Sequence, residues 1–189
     1  MIKRAIQGIS LLLVAPAALL CGFGRVRALF TIFVHSYAMA PGIIGDYLRI
    51  AFYKLTLEEC SLNSRISFGA FFAHPEARMG EGVYIGPYCV LGRVSIGART
   101  QIAAGVQVLS GKNQHARDAD GRIMGSELES FTSVAIGADS WIGAAAIVMA
   151  DLGDHVTIGA GAVVTKAIPS NSVAVGNPAR QISAADERR

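Results

Sequence analysis

Aliphatic residues recur at intervals of mostly six positions through the second half of the chain, and glycine often follows them directly. Neither the period of a helix nor the alternation of an ordinary strand produces a period of six. The pattern predicts very short strands that turn at fixed intervals, three to a coil of roughly 18 residues, with stacked coils burying one aliphatic side chain per strand. The repeated positions are Ile85, Leu91, Ile96, Ile102, Val108, Ile136, Ile142, Val148, Leu152, Ile158 and Val164.

The repeat is interrupted in three places. Gaps of five from Leu91 to Ile96 and of four from Val148 to Leu152 predict shortened corners. Residues 109–133 carry no repeat, and so long an excursion from a regular solenoid is typically functional. We therefore place the β-helix at residues 60–182, with this excursion as its candidate catalytic loop and a polar tail at 183–189.

The first 59 residues follow a different pattern. An uncharged run at residues 5–23 has basic residues on both sides. As a helix, its 19 residues would extend roughly 28 Å, long enough to cross a bilayer core. Three interpretations remain open: a cleaved signal peptide, a transmembrane span, and a helix lying in the membrane interface. A lipoprotein signal is disfavoured because Leu20, which is not small, precedes Cys21.

Two more helices are predicted before residue 60. Residues 46–57 place apolar side chains on one broad stripe, with Arg49 and Lys54 on a polar face. Residues 28–44 fit a second short helix and a turn at Pro41–Gly42. The helices either cap the end of the β-helix and bury one another, or form a membrane-associated appendage. We favour the α-helical, membrane-associated appendage for residues 1–59.

Composition narrows the range of partners. The apolar fraction is 52% and the charged fraction 16%, which is high in apolar content for a freely soluble enzyme and indicates contact with lipid or a partner. The net charge of +3 comes from scattered basic residues, so no nucleic-acid partner is expected. Cys21, Cys60 and Cys89 lack CxxC spacing and are interpreted as small apolar residues in a reducing compartment.

The C-terminal part of the chain resembles the hexapeptide-repeat acyltransferases. The resemblance rests on Trp141-Ile142-Gly143, on residues 158–166 (IGAGAVVTK), on Pro169 and on residues 175–180 (VGNPAR). The pattern is most similar to sugar O-acetyltransferases, including galactoside and maltose acetyltransferases and those of surface polysaccharide synthesis. It implies a mainly β fold, a left-handed parallel β-helix, usually trimeric, with active sites between subunits, acetyl-CoA as co-substrate and no metal.

A histidine in the excursion is the candidate catalytic base. Acyl transfer from a thioester to a hydroxyl needs a base that works near neutral pH. His115 is our choice, since relatives carry a loop histidine in a similar His-x-x-Asp setting. Asp118 completes that setting, although Glu127 and Glu129 are also near enough in sequence to orient the base. The other histidines are weaker candidates, namely His35, His74 and His155.

The resemblance also implies a donor site for coenzyme A. Small corner residues would let the pantetheine arm reach the backbone, while basic residues would meet the phosphates. The candidates are the corner residues Ala144 and Ala160, the nucleotide contacts Thr165 and Lys166, the phosphate contact Arg180, and Trp141, which stacks on the cofactor or fills the edge of a coil. Some relatives carry serine at the position of Ala144, so only a backbone N–H remains there to stabilise an oxyanion.

These observations predict an acetyl-CoA-dependent O-acetyltransferase. The expected acceptor is a sugar hydroxyl, on a surface or exopolysaccharide precursor or its lipid-linked form, at the cytoplasmic face of the inner membrane. N-acetylation of an amino sugar, acetylation of a small molecule, and a non-catalytic hexapeptide scaffold are the alternatives. A γ-carbonic anhydrase-like metal enzyme on the same fold would need three histidines at a subunit interface. His74, His115 and His155 lack the close pairing in sequence that such a site is expected to show.

Overall fold

The computed structural model describes residues 2–110, 115–125 and 131–182. The chain begins with helices α1 (Ile2–Leu20), α2 (Arg27–Ala38) and α3 (Gly42–Thr56). Short strands follow and wind into a parallel β-helix with three sheets, which we name A, B and C. The helices therefore precede the repeat and stand at its first coil.

Each sheet stacks short strands from successive coils. Pairing is parallel throughout the described strands, except where β16 turns back against β15. Sheet A contains β1 (Glu59–Cys60), β4 (Arg78–Met79), β7 (Val94–Ile96) and β10 (Val134–Ile136). Sheet B contains β2 (Arg65–Ile66), β5 (Tyr84–Ile85), β8 (Gln101–Ile102), β11 (Trp141–Ile142), β13 (Thr157–Ile158), β15 (Val173–Val175) and β16 (Arg180–Ile182). Sheet C contains β3 (Phe71–Phe72), β6 (Val90–Leu91), β9 (Gln107–Val108), β12 (Ile147–Val148) and β14 (Val163–Val164).

The core consists of three ladders of inward side chains, one per sheet. In sheet B the strand register stacks Ile66, Ile85, Ile102, Ile142, Ile158 and Ala174, all fully buried. The β-helix predicted from the six-residue period is confirmed. Cys60 and Met79 form the first rungs of the sheet A ladder, where the repeat has neither Ile, Leu nor Val. Burial raises the pKa of the Cys60 thiol to about 12, which keeps it protonated and apolar.

The two irregular gaps in the repeat are shortened corners, as predicted. Between β7 and β8 the corner has four residues, whereas Gly92 and Arg93 alone separate β6 from β7. After β12, three residues reach Leu152, which bridges to Ile136 in line with sheet A. The chain can omit corner residues because the inward ladder, rather than the corner, sets the register.

Corners between sheets B and C bring the backbones of successive coils close together. A Cβ on Gly143 would lie 2.5 Å from the backbone nitrogen of Ala160, so no larger residue fits there without a shift. Ala145 and Gly161 then take left-handed backbone dihedrals, with φ of 57° and 67°. These corners present small side chains and backbone groups to the outside.

The helices cap the open end of the first coil. The hydroxyl of buried Tyr53 accepts a hydrogen bond from the backbone N–H of Phe72 at 3.0 Å. The Arg49 guanidinium donates to the carbonyl of Ile66 at 2.9 Å and to Asp46 at 2.5 Å. It also donates to carbonyls near the end of α2, those of Tyr37, Ala38 and Ala40. A solenoid end needs such a cover because its last strand edges are unpaired.

The sequence-based placement of Arg49 on a polar face is wrong. Its side chain is completely buried, while Lys54 on the same helix is exposed. The guanidinium donates to several backbone carbonyls and to the Asp46 carboxylate, and these hydrogen bonds offset the cost of its burial. Helical periodicity places a residue on a face but does not show what that face meets.

Helix α1 buries a narrow face of small and polar residues with Val14, and its outer face carries large apolar side chains. Gln7 is buried, and its side-chain amide donates to the carbonyl of Leu62 at 2.8 Å. The helix is long and apolar enough to cross a membrane, with a mean hydropathy of 1.4 over a window that is 28% buried. Its exposed large side chains are Ile2, Ile6, Ile9, Leu12, Leu13, Leu19 and Leu20.

Candidate active site

The excursion leaves the β-helix after Val108 and returns at Val134, with its two ends held together. The backbone N–H of Thr132 donates to the carbonyl of Ser110 at 3.2 Å. Arg93, in the shortened corner, donates to the carbonyl of Phe131 at 3.2 Å. Pinned ends of this kind reduce the number of positions that a long loop can take.

Residues 115–125 form a short hairpin within the excursion. Arg117 and Ile123 make an antiparallel bridge, and the backbone N–H of Met124 donates to the carbonyl of Ala116 at 2.9 Å. Gly121 lies in the turn with φ of 80°. His115, the candidate catalytic base, therefore lies at the open end of a hydrogen-bonded hairpin.

The His115 side chain has one ring nitrogen held by the hairpin. Nδ1 lies 3.2 Å from the carbonyl oxygen of Met124, and a carbonyl can only accept, so Nδ1 carries the proton. In the neutral ring, Nε2 then has a free lone pair, which is what a general base requires. The ring is exposed, so Nε2 is open to a ligand. Sequence reasoning missed Met124, because a backbone acceptor leaves no signal in residue type.

The carboxylate of Asp118 serves the turn of the hairpin. Its Oδ1 accepts from the backbone N–H groups of Asp120 and Arg122, each at 2.9 Å. The structure thus brings Asp118 to the turn and the Met124 carbonyl to His115. The alternative acids Glu127 and Glu129 lie outside the described residues. The assignment of Asp118 as the orienting acid stays a prediction.

The predicted donor residues Ala144 and Ala160 come together on one corner of the β-helix. Hydrogen bonds between successive B–C corners run from Ala145 to the carbonyl of Ala104 at 2.9 Å and from Gly161 to that of Ala144 at 2.8 Å. The result is a line of small residues across three coils, which we call the donor groove: Ala104, Gly105, Ala144, Ala145, Ala160 and Gly161. An extended chain can approach the backbone closely along such a line.

The remaining donor candidates lie around this groove. The turn at residues 176–178 stacks on β14, where the Val163 N–H donates to the Gly176 carbonyl at 3.0 Å, and it delivers exposed Arg180 to the last coil. Thr165 and Lys166 follow β14, at the far edge of sheet C. Trp141 is 57% exposed on the outer face of sheet B. Ala144, Ala160 and the turn before Arg180 thus share a corner, whereas the other three do not.

Tyr88 stands at the opposite end of the same line of corners and was not singled out from the sequence. It is 63% exposed and takes a left-handed φ of 58°, unusual for an aromatic residue. Its ring lies against Gly69 and meets Phe68 edge-on, with ring centroids 5.7 Å apart. The available signal was its corner position, where the neighbouring coils carry glycine or alanine.

The three other histidines have separate surroundings. His35 meets Phe71 with ring centroids 4.8 Å apart, and His155 is exposed in a corner of the β-helix. Burial and the neighbouring guanidinium groups of Arg27 and Arg93 lower the pKa of His74. Within residues 2–110, 115–125 and 131–182, no three His, Cys, Asp or Glu side chains group as a metal site would require.

Comparison with known families identifies the repeat. The family described as "Bacterial transferase hexapeptide (six repeats)" matches residues 76–110, and "Hexapeptide repeat of succinyl-transferase" matches residues 133–166. The two matches flank the excursion and cover coils on both sides of it. The first match stops and the second begins at the edges of the candidate catalytic loop.

Similar proteins are acetyltransferases by name. Serine acetyltransferase 4 of Arabidopsis thaliana is 29% identical over 171 residues, covering 81% of this chain and 43% of that protein. Galactoside O-acetyltransferase of Escherichia coli K12 is 42% identical over 64 residues, covering 33% of this chain and 31% of that protein. The chain thus spans less than half the length of these two curated relatives.

A solved structure matches over most of both chains. It is a maltose O-acetyltransferase from Clostridium difficile 630, with a TM-score of 0.68, 26% identity, and coverage of 82% of this chain and 83% of the other. The repeat, the corner geometry and these matches agree. The chain carries hexapeptide transferase repeats on both sides of the excursion and is similar to the hexapeptide-repeat acyltransferases.

Proposed function

We propose that this protein is an acetyl-CoA-dependent O-acetyltransferase that acts on a sugar hydroxyl. The observation that carries the proposal is the donor groove. Its exposed small residues align across three coils, and at one end the chain turns back to present Arg180. Extended pantetheine amides can pair with the exposed corner backbone, and a guanidinium suits a phosphate. Names of similar proteins agree with acetyl transfer.

The reaction is a direct transfer with His115 as the base. Nε2 takes the proton of the acceptor hydroxyl while its oxygen attacks the thioester carbonyl. The carbon–sulfur bond breaks as the new ester forms, and the proton passes to the departing thiolate of coenzyme A. The Met124 carbonyl holds the ring and stabilises its protonated form through Nδ1. No acyl-enzyme is formed.

Thiol release from acetyl-CoA in the presence of acceptor tests the chemistry. We expect His115→Ala to lower kcat by on the order of a hundredfold or more, the usual contribution of a positioned base. His155→Ala is the matched control, because His155 is an exposed histidine on the same β-helix. Equal loss in both variants, or no turnover by the native chain, would favour the non-catalytic scaffold.

Blocking the donor groove tests the binding of coenzyme A separately. Ala160→Phe places a ring in the line of small residues and should raise KM for acetyl-CoA at least tenfold. Ala73→Phe, at an exposed position in the first coil, is the control. Unchanged KM in the Ala160 variant would place the donor elsewhere.

The acceptor class is tested with a panel. Sugars are favoured by the maltose O-acetyltransferase structure, which matches most of both chains. The alignment with a serine acetyltransferase is longer than that with the galactoside enzyme, so L-serine belongs in the panel. Glucosamine separates N-transfer from O-transfer. Turnover of serine above all sugars would replace the sugar proposal.

Residues 1–59 hold the enzyme on a membrane in this proposal. The outer face of α1 is apolar from Ile2 to Leu20, and Lys3, Arg4 and Arg25 are exposed at its two ends. Such a surface suits the boundary between head groups and acyl chains. Acetyl-CoA is cytosolic, so the enzyme works at the cytoplasmic face, on a precursor of a surface or exopolysaccharide. Protease added outside intact cells should leave the β-helix uncut.

The outer face of sheet C is the proposed contact in a homotrimer. Four of its five outward side chains are apolar, namely Phe71, Val90, Ile147 and Val163, with Gln107 between them. A row of apolar side chains on the outer face of a sheet suits a partner surface. Val90→Glu combined with Ile147→Glu should convert a trimer into monomers in analytical ultracentrifugation.

A further inference from the structure

A cavity lies away from the excursion, between the helices and sheet B. Its volume is about 410 Å³. Tyr47 of α3 forms one wall, and Arg65, Tyr84 and Gln101 from the outer face of sheet B form the other. Neither the donor groove nor the His115 hairpin uses these residues. The cavity combines aromatic rings with planar polar groups, and a pocket of this make-up fits a polar ring with apolar faces.

The charged side chains that line the cavity are Lys3, Arg65 and Asp46. Arg65 pairs with Asp46 at 2.7 Å and lies over the Tyr84 ring at 6.0 Å from its centroid. Asp46 also accepts from buried Arg49. Lys3 reaches the side-chain oxygen of Asn63 at 3.4 Å. At Arg65 a phosphate would have to displace Asp46 and would face its carboxylate, so this part of the cavity favours a neutral ligand rich in hydroxyls.

The cavity is continuous with a row of side chains that leads toward the donor groove. Strand register places Arg65 next to Tyr84, Tyr84 next to Gln101, and Gln101 next to Trp141, all on the outer face of sheet B. Adjacent strands are about 4.8 Å apart, so the row extends roughly 14 Å. Trp141 begins the strand that leads into Ala144 of the donor groove. At the other end, exposed Ile43 is at the cavity rim.

We propose that this row and its cavity bind the sugar chain of the acceptor, with one sugar held in the cavity between Tyr47 and Tyr84. Sugar rings offer an apolar face to aromatic side chains and hydroxyls to groups such as Gln101, Asn63 and the Arg65–Asp46 pair. The proposal rests on the proposed function for the identity of the acceptor. A chain bound along the row would extend from the membrane side of the protein toward the donor groove.

Binding and transfer are measured with sugar chains of two lengths. The probes are glucose and maltotetraose, and N-acetylglucosamine and its tetramer, applied to the full chain in a detergent without a sugar head group. Saturation-transfer NMR without acetyl-CoA reports binding, and thiol release reports transfer. The variants are Tyr84→Ala, Tyr84→Phe and Gln101→Ala, with exposed Glu59→Gln on sheet A as control.

We expect Tyr84→Ala to weaken tetrasaccharide binding about tenfold and to raise KM for the tetrasaccharide equally, the size of one aromatic contact. Tyr84→Phe keeps the ring and should retain binding, which separates recognition from misfolding. KM for the monosaccharides and kcat should stay within twofold. Glu59→Gln should behave as the native chain.

The outcomes separate the two proposals. Pocket-dependent tetrasaccharide binding in a chain without transfer activity would support the sugar site and remove the acetyltransferase proposal. Active transfer with no tetrasaccharide binding, or with equal binding in Tyr84→Ala, would overturn the sugar site alone. Chemical shift changes at Arg65 with inorganic phosphate, and none with the sugars, would also overturn it in favour of an anion site.

Discussion

The β-helix and helix α1 use apolar residues in opposite ways. Ile142 is fully buried in the sheet B ladder, whereas Leu12 in α1 is 76% exposed. Along α1 most of the buried positions are instead small or polar, including Gln7, Ser10 and Ala18. In one region the hydrophobic pattern marks the interior of the protein, and in the other it marks the surface.

This difference between the β-helix and α1 shows that an apolar pattern identifies a surface that avoids water. The pattern does not identify what covers that surface. In the β-helix each coil covers the next, so the repeat is self-sufficient. Helix α1 covers α3 with a narrow face of small residues, and its wider apolar face needs another partner. Both ends of this face carry exposed basic residues, which is why we assign it to a membrane.

The largest effect is expected from truncation inside the ladder. Ile142→Ala opens a cavity between Ile102 and Ile158, and the strands on both sides prevent collapse. We expect the free energy of unfolding to fall by about 4 kcal/mol, measured by denaturation in detergent. Ile43→Ala, at a 69% exposed position, should cost less than about 0.5 kcal/mol. Similar losses of unfolding free energy at Ile142 and Ile43 would contradict the contrast between a buried ladder and exposed helix positions.

Removal of the buried charge that joins helices α2 and α3 to the β-helix comes next. Arg49→Met deletes hydrogen bonds to Ile66, to Asp46 and to the end of α2, while Asp46 keeps Arg65 as its partner. The expected loss is about 3 kcal/mol, at the lower end for a broken buried ion pair. Native-state proteolysis should also cut α2 faster. Lys54→Met on the same helix is the control, and an equal effect there would restore the polar-face interpretation.

The sequence predicted the β-helix well because every coil repeats the same requirement. An inward aliphatic residue and a glycine at the corner are fixed by local geometry, so the ladder from Ile85 to Val164 could be located by spacing alone. The first coils give a weaker signal, since Cys60 and Met79 do not look like members of an Ile, Leu and Val repeat. The reversal at β16 leaves no periodic signal.

The candidate site was predictable in part. Ala144 and Ala160 follow from corner spacing combined with the family motif. The Met124 carbonyl, the left-handed Tyr88 and the burial of Arg49 depend on contacts between residues far apart or on the backbone, which residue type does not reveal. The hairpin at 115–125 was missed because its strands are too short to show alternation.

A smaller effect is expected from making the inner face of α1 apolar. Gln7→Leu removes the hydrogen bond to Leu62 and leaves its carbonyl without that donor, for a loss of about 1 kcal/mol. If α1 were instead inserted alone in lipid, the same change would stabilise it. The sign of the change in α1 stability therefore distinguishes packing on the protein from insertion into a membrane. Hydrogen exchange of the α1 amides measures it, with Ile9→Leu as control. Increased protection in Gln7→Leu would contradict the packed position of α1.

The smallest effect on stability is expected from changes on the outer face of α1, which should nevertheless have the largest effect on membrane binding. Leu12→Gln combined with Leu13→Gln alters two exposed side chains, so the free energy of unfolding should change by less than about 0.5 kcal/mol. Binding to phosphatidylcholine vesicles containing phosphatidylglycerol should fall at least about tenfold, because each leucine loses its transfer into the apolar layer. Ile123→Gln in the hairpin, which is 65% exposed, should bind vesicles as the native chain does. If the double variant also kept its affinity, the outer face of α1 would have a protein as its partner, and the contrast with the β-helix would reduce to two ways of burying leucine against protein.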